Sequence, residues 1–182
     1  MTVVNYDQGI YEYRLETLFK PSRLKDLTEA EKNYIAGLFD GEGTIVISLN
    51  KRDNRAAKMI KIGTTCKELV EWLHRKLGIG WTMNNRQKPG EKPVYRFQIT
   101  RFKEIETFLS WIKDSLIVKR KQAELMLEFC DLAKQRRVRL LLNPDTKKII
   151  RSLQTKISPR EWEIYREIKE LNKRGWEDGW RT

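Results

Sequence analysis

Hydrophobic positions along the chain pass from helical spacing to strict alternation and back, twice in succession. Thr28 followed by Glu31 makes a capping box that opens a helix through about Phe39, and Gly41 and Gly43 are expected to end it. From Thr44 to Asn50, the apolar Ile45, Ile47 and Leu49 alternate with Val46, Ser48 and Asn50, the pattern of a strand with one buried face. A polar loop over 51–55 leads into a second strand over 57–63, in which Ile60 and Ile62 point inward and Lys61 outward. Thr65 and Glu68 read as another capping box, and Leu69, Trp72, Leu73 and Leu77 keep helical spacing until Gly78. Two more strands are predicted over 80–84 and 93–100, joined by a polar loop. In the later one Tyr95, Phe97 and Ile99 share a face opposite Arg96, Gln98 and Thr100.

Beyond the repeat, Phe102, Ile105, Phe108, Leu109 and Ile112 mark an amphipathic helix, and residues 122–133 a longer one. Asn143-Pro144-Asp145 signals a turn, and Ser158-Pro159-Arg160-Glu161 a helix start. The expected fold is therefore α+β: an αββαββα core with a twisted, saddle-like four-stranded antiparallel sheet, helices on one face and extra C-terminal helices. The organisation reads as an N-terminal extension over 1–27, a core over 28–135, and a C-terminal helical extension of the same domain over 136–182. The uncovered face of such a sheet has the dimensions to enter a DNA major groove.

Composition narrows the partner. Among 182 residues, 37 Lys and Arg against 25 Asp and Glu leave a net charge of +12, which suits a protein that neutralises phosphates. Charge alone fits a nucleic-acid enzyme and a passive binder equally. No apolar run reaches the ~18 residues of a membrane span, and no secretory leader opens the chain, so the expectation is an intracellular protein of cytoplasm, nucleoid or organelle, with no membrane partner. The cysteines, Cys66 and Cys130, are too far apart in sequence for a zinc module and read as packing residues. His74 is the single histidine, which excludes nuclease chemistries that need paired imidazoles. Gly9-Ile10-Tyr11 lacks the partner triplet of another nuclease signature. Gly41-x-Gly43 follows a helix and precedes a strand, the reverse of a dinucleotide loop.

Residues 34–45 read YIAGLFDGEGTI. Small Ala36 and Gly37 allow helix backbones to pack closely, and Glu42 emerges at the base of the first strand. The stretch resembles the motif that names the LAGLIDADG homing endonucleases: Ala36, Gly37, Leu38, Asp40 and Gly43 match it, while Ile35, Phe39, Gly41 and Glu42 depart in ways the family commonly shows. The resemblance implies a homodimer of the single-motif type, with Ala36, Gly37, Asp40 and Gly41 at the interface. It implies Glu42 and the main-chain carbonyl of Gly41 as ligands of Mg2+, whose place Mn2+ or Ca2+ can take. Asp40 reads chiefly as a structural acid of the helix end, with a direct metal role as the alternative. A second resemblance lies at 117–123, IVKRKQA, where single-motif members place a catalytic lysine; Lys119 matches best and Lys121 is the alternative, against a plain solvated basic turn.

The activity so implied is site-specific, metal-dependent cleavage of double-stranded DNA at a long pseudo-palindromic target, associated with intron homing. The alternative is a non-cleaving nucleic-acid binder or a maturase acting on intron RNA. Contacts to DNA are expected from Ser48, Asn50, Arg52, Asn54, Arg55, Lys58, Lys61, Asn84, Arg86, Gln87, Lys88, Arg96 and Gln98, whose side chains suit base edges and phosphates. Thr64, Thr65, Lys67 and Glu68 occupy the region where the family orders water, without a residue-by-residue match.

Overall fold

Thr28 caps the first helix as its sequence dictates. Its hydroxyl accepts the N–H of Glu31, and the Glu31 carboxylate takes the N–H of Thr28 in return. In the computed structural model, which describes residues 4–6, 10–14, 24, 27–50, 55–84, 92–142, 149–154 and 156–173, this helix, α1, spans Glu29–Glu42. Two strands of three and five residues precede it, β1 (Val4–Tyr6) and β2 (Ile10–Arg14). After it come β3 (Gly43–Asn50), β4 (Arg55–Thr64), α2 (Lys67–Leu77), β5 (Trp81–Asn84), β6 (Tyr95–Ile99) and α3 (Phe102–Ile112). A 3-10 turn at Lys113–Ser115 leads to α4 (Arg120–Lys134), then β7 (Arg137–Leu142), β8 (Ile149–Gln154) and α5 (Pro159–Leu171).

The repeated helix, strand, strand unit forms one antiparallel four-stranded sheet in the order β3-β4-β6-β5, an α+β core of the expected order. Its register pairs Ile45 with Ile60, Ile60 with Ile99, and Ile62 with Phe97, so one face is apolar. Against that face lie Ile35 and Phe39 of α1, Leu73 and Leu77 of α2, Ile105, Phe108 and Leu109 of α3, and Met126 and Phe129 of α4, all buried. Each such side chain contributes about 1.5–3 kcal/mol through burial. Phe39 meets Phe108 edge to face at 5.5 Å. No helix among the described residues is long and apolar enough to cross a membrane.

Three local expectations change. Helix α1 runs through Gly41 and stops at Glu42, and Gly43 is already extended at φ −74°. The second capping box does not form: α2 starts after Cys66, whose N–H goes to the Thr64 hydroxyl and whose thiol goes to the Glu68 carboxylate. Cys66 is exposed as a result, whereas Cys130 is buried as a packing residue.

The segment after residue 136 is only partly helical. Strands β7 and β8 pair with each other, and β7 with β2, in a second antiparallel sheet of order β1-β2-β7-β8. The turn signal at 143–145 thus falls between two strands, where the apolar run Leu140-Leu141-Leu142 and the β-branched pair Ile149-Ile150 favour extended backbone. Helix α5 opens with the capping box of Ser158 and Glu161. The carboxylate of Glu161 also takes the guanidinium of Arg136 in a buried pair. At its other end the Asn172 amide donates to the carbonyl of Ile45 at 2.9 Å, so α5 covers the outer edge of β3.

Candidate active site

The C-terminal end of α1 and the N-terminal end of α4 are tied together by two side chains. The Asp40 carboxylate accepts the backbone N–H of Ile117 at 2.7 Å, Val118 at 3.2 Å and Lys119 at 2.9 Å. In the opposite direction the Lys119 ammonium donates to the carbonyl of Asp40. A helix ends with unsatisfied carbonyls and a negative dipole, and begins with unsatisfied amides and a positive one. Helix α1 has no basic residue in its own last turn, so Lys119 supplies the cation from another element. Partial burial holds the Lys119 ammonium below the ordinary lysine range, while the charges of Asp40 and Glu42 pull it back up.

Glu42 follows Asp40 by half a helical turn and sits at the tip of α1, exposed. Its carboxylate has no hydrogen bond or ion pair among the described residues, yet lies close enough for its charge to act on Lys119. The carbonyl of Gly41 lies in the last turn, past the reach of any helical N–H. No cluster of three or more potential metal ligands occurs among the described side chains.

The three glycines of the motif differ in what they do. A Cβ on Gly43 would stand 2.2 Å from Cδ2 and 2.3 Å from the carbonyl oxygen of Phe39, so the junction of α1 and β3 has room for hydrogen only. At Gly37 and Gly41 a Cβ would meet nothing within 4 Å. Both lie on the face of α1 that also carries Tyr34, which meets Trp72 of α2 edge to face at 5.5 Å, and Leu38, which is half-buried against the core; over the two glycines the described residues leave open space. Ala36, expected on that face, is instead buried in the chain's own core, because its helical position coincides with Phe39 and Ile35. Ile117 and Val118 are exposed beside Asp40.

On the sheet's open face the register brings Lys61 opposite Gln98 and places Arg96 beside Gly63, with Thr44, Val46, Ser48, Met59, Trp81 and Met83 on the same side. Gln98 is nearly covered and its amide donates to the Met83 sulfur. Lys58, expected with this set, turns the other way: it pairs with Ile47, and its ammonium lies 4.8 Å from the Phe102 ring centre, where burial lowers its pKa. Asn84 likewise pairs with Tyr95 and shares the helix-side parity. In both cases the alternation counted from the neighbouring apolar residues, not the polarity of the residue, sets the side. For Asn50 and Arg55 only the backbone is described, and Arg52, Asn54, Arg86, Gln87 and Lys88 lie outside the described residues.

One part of the site left no mark in the sequence reading. A cleft of about 820 Å³ opens beside Lys119, lined by Gly43 and Thr44 at the start of β3, by Lys121 and Gln122 on α4, and by Arg166, Glu167, Glu170 and Asn172 on α5. Its far wall comes from a helix more than a hundred residues after the motif, so no local spacing could have announced it.

A family model described as a LAGLIDADG-like domain matches residues 29–113. Comparison with curated proteins finds no match. Among solved structures, the chain is similar to the archaeal intron-encoded homing endonuclease I-Vdi141I complexed with DNA, with TM-score 0.59 and 17% identity over 83% of this chain and 89% of that one. It is also similar to the homing endonuclease I-CvuI in complex with an I-CreI target in the presence of magnesium, with TM-score 0.55 and 17% identity over 85% of this chain and 86% of that one. A third likeness is to the LAGLIDADG homing endonuclease I-SmaMI bound to cleaved DNA, with TM-score 0.52 and 14% identity, over 81% of this chain but 44% of that one. At these identities the likeness is one of fold.

Proposed function

We propose that this chain, which carries a LAGLIDADG-like domain over residues 29–113, is a metal-dependent endonuclease of duplex DNA that acts as a homodimer at a pseudo-palindromic site. The observation that carries this reading is Glu42: a carboxylate without a hydrogen bond or ion pair among the described residues, held at a helix tip on the helix whose Gly37 and Gly41 have open space over them among those residues. The face of these glycines, with the exposed Ile117 and Val118 near it, suits a second copy of α1 packed backbone to backbone. Two copies would bring two Glu42 side chains together, a carboxylate for each strand to be cut. The structures similar in fold include DNA complexes, and the basic chain, with a sheet face that none of the described helices packs across, supports the same kind of partner here.

The donor set fits Mg2+, which prefers hard oxygen ligands: the free Glu42 carboxylate and the main-chain carbonyl of Gly41. When bound, such an ion supplies Lewis acidity at a scissile phosphate and lowers the pKa of a coordinated water. The chain's own residues do the rest. Glu42 binds and, through the rigid junction at Gly43, fixes where binding occurs. Lys119, its ammonium partly desolvated, faces charge that develops at the phosphate. Asp40 orients Lys119 through its backbone N–H and carbonyl and touches no substrate. Lys61, Arg96 and Ser48 on the open face would meet DNA.

The test is incubation of supercoiled or randomised library DNA with Mg2+, comparing the natural chain with Glu42→Gln. Cleavage by the first and none by the second supports the reading. Firm binding of DNA or intron RNA without any cleavage would favour a non-cleaving binder or maturase on the same scaffold.

A further inference from the structure

We infer that the cleft beside Lys119 is a second anion site, a seat for a phosphodiester of the DNA backbone next to the one that is cut; this rests on the duplex-DNA reading above. Three independent features of the cleft point to the same ligand. The first is Gln122, which is 8% exposed, lines the cleft, and has no side-chain hydrogen-bond partner among the described residues. Its amide opens into the cleft instead of being sealed in the core, so it is free to bond a ligand seated there.

The second feature is the start of α4, a helix of 15 residues with no side-chain cap. Asp40 takes the N–H of Lys119, and the helix's own bonding begins with Ala123 donating to Lys119. The amides of Arg120, Lys121 and Gln122 therefore have no acceptor among the described residues, at the end of the helix whose dipole favours an anion.

The third is the pairing of charges around the rim. Glu167 and Glu170 also line the cleft, but Glu167 is taken by Arg160 at 3.0 Å and Glu170 by Lys173 at 2.8 Å. Arg166 has no ion pair among the described residues and Lys121 feels Glu128 only through space, without an ion pair, so the charge left to face the cleft is positive. Lys121 and Arg166 supply the charge, and Gln122 with the first-turn amides supplies directed donors, a combination that matches the tetrahedral oxygens of a phosphate. Because Asn172 ties α5 to the carbonyl of Ile45, Arg166 is held against the strand that starts beside Glu42.

Two measurements on the full chain test this. The first follows the backbone amides of residues 120–122 and the Gln122 side-chain amide by NMR while dimethyl phosphate or inorganic phosphate is added. The second follows binding of a short random-sequence duplex in Ca2+ as salt rises. The expected result is a saturable shift at those amides with the diester, lost in Arg166→Gln, and a salt slope of log K for the duplex smaller by about one in Arg166→Gln. Lys169→Gln, on α5 but outside the cleft, should leave the amide shifts unchanged. No shift with either phosphate overturns the site whatever the duplex does. A shift with inorganic phosphate but not the diester, or an unchanged salt slope, overturns its assignment to DNA. A chain that shows the diester shift yet retains no duplex would keep the anion site and sink the endonuclease reading instead.

Discussion

Asp40 and Lys119 are bonded to each other in both directions: the carboxylate of Asp40 takes the N–H of Lys119, the residue that precedes α4, and the ammonium of Lys119 donates to the carbonyl of Asp40 in the last turn of α1. The catalytic lysine of the proposed mechanism is thereby positioned by the same residue pair that joins the motif helix to the rest of the core.

Asp40→Ala should be costly for that reason. It leaves the amides of Ile117, Val118 and Lys119 without their acceptor, while the Lys119 ammonium keeps the main-chain carbonyl of residue 40, and the loss should be about 2–3 kcal/mol in chemical unfolding. Cleavage should fall further than stability explains, because the backbone that carries Lys119 loses its anchor. A variant with unaltered stability would show that these bonds are not kept in solution.

Gly43→Ala and Gly41→Ala should behave as opposites. The first drives a methyl into the ring and carbonyl of Phe39 and should destabilise the fold by about 2 kcal/mol or more, with displacement of Glu42. The second meets open space within the chain and replaces glycine inside a helix, so the single chain should gain about 0.5–1 kcal/mol. Thermal melts of the pair read both signs at once.

Self-association should respond to Gly37→Leu. The side chain has room in one chain, yet would separate two α1 helices packed face to face. Sedimentation should show a folded monomer where the natural chain sediments as a dimer; an unchanged dimer would place the interface elsewhere.

The pH profile of cleavage should carry a limb from Lys119. Its pKa is lowered from 10.5, chiefly by burial, so the ammonium is lost at a pH below that of an exposed lysine. Activity should decline through that window, and Lys119→Arg, which does not deprotonate, should move the decline to higher pH. The sign for folding is the reverse: the unfolded chain binds the extra proton between the lowered value and 10.5, so the penalty this group places on stability fades as pH rises through that interval.

Thiol labelling offers a simple check of the core. Burial pushes the Cys130 thiol up to about 12, while Cys66 is exposed. The native protein should react at Cys66 alone, and at both cysteines once unfolded.

Much of this architecture was legible in the chain. The order of helices and strands followed from periodicity, because the apolar residues of each element face one shared core. Misreadings arose where a residue's polarity competed with its place in the pleat. Lys58 looks like a surface residue, but its strand position puts it on the helix side, over the Phe102 ring. Ala36 looks like an interface residue, but its helical phase puts it in the core. Strand β7 escaped notice because one of its partners, β2, lies far away in the chain, and β8 with it, since its partner is β7. The cleft with Arg166 was invisible for the same reason: nothing local couples α5 to residues near the motif.

Helix α1 ends at Glu42 and strand β3 begins at Gly43, with no linker between them. On the proposed reading, an acid placed at the phosphate and a strand placed at the bases cannot then move independently. A misfit along β3 would then be transmitted as a misplaced carboxylate, so a near-cognate sequence would lose more in cutting than in binding. Fidelity in such a protein is written into rate rather than residence.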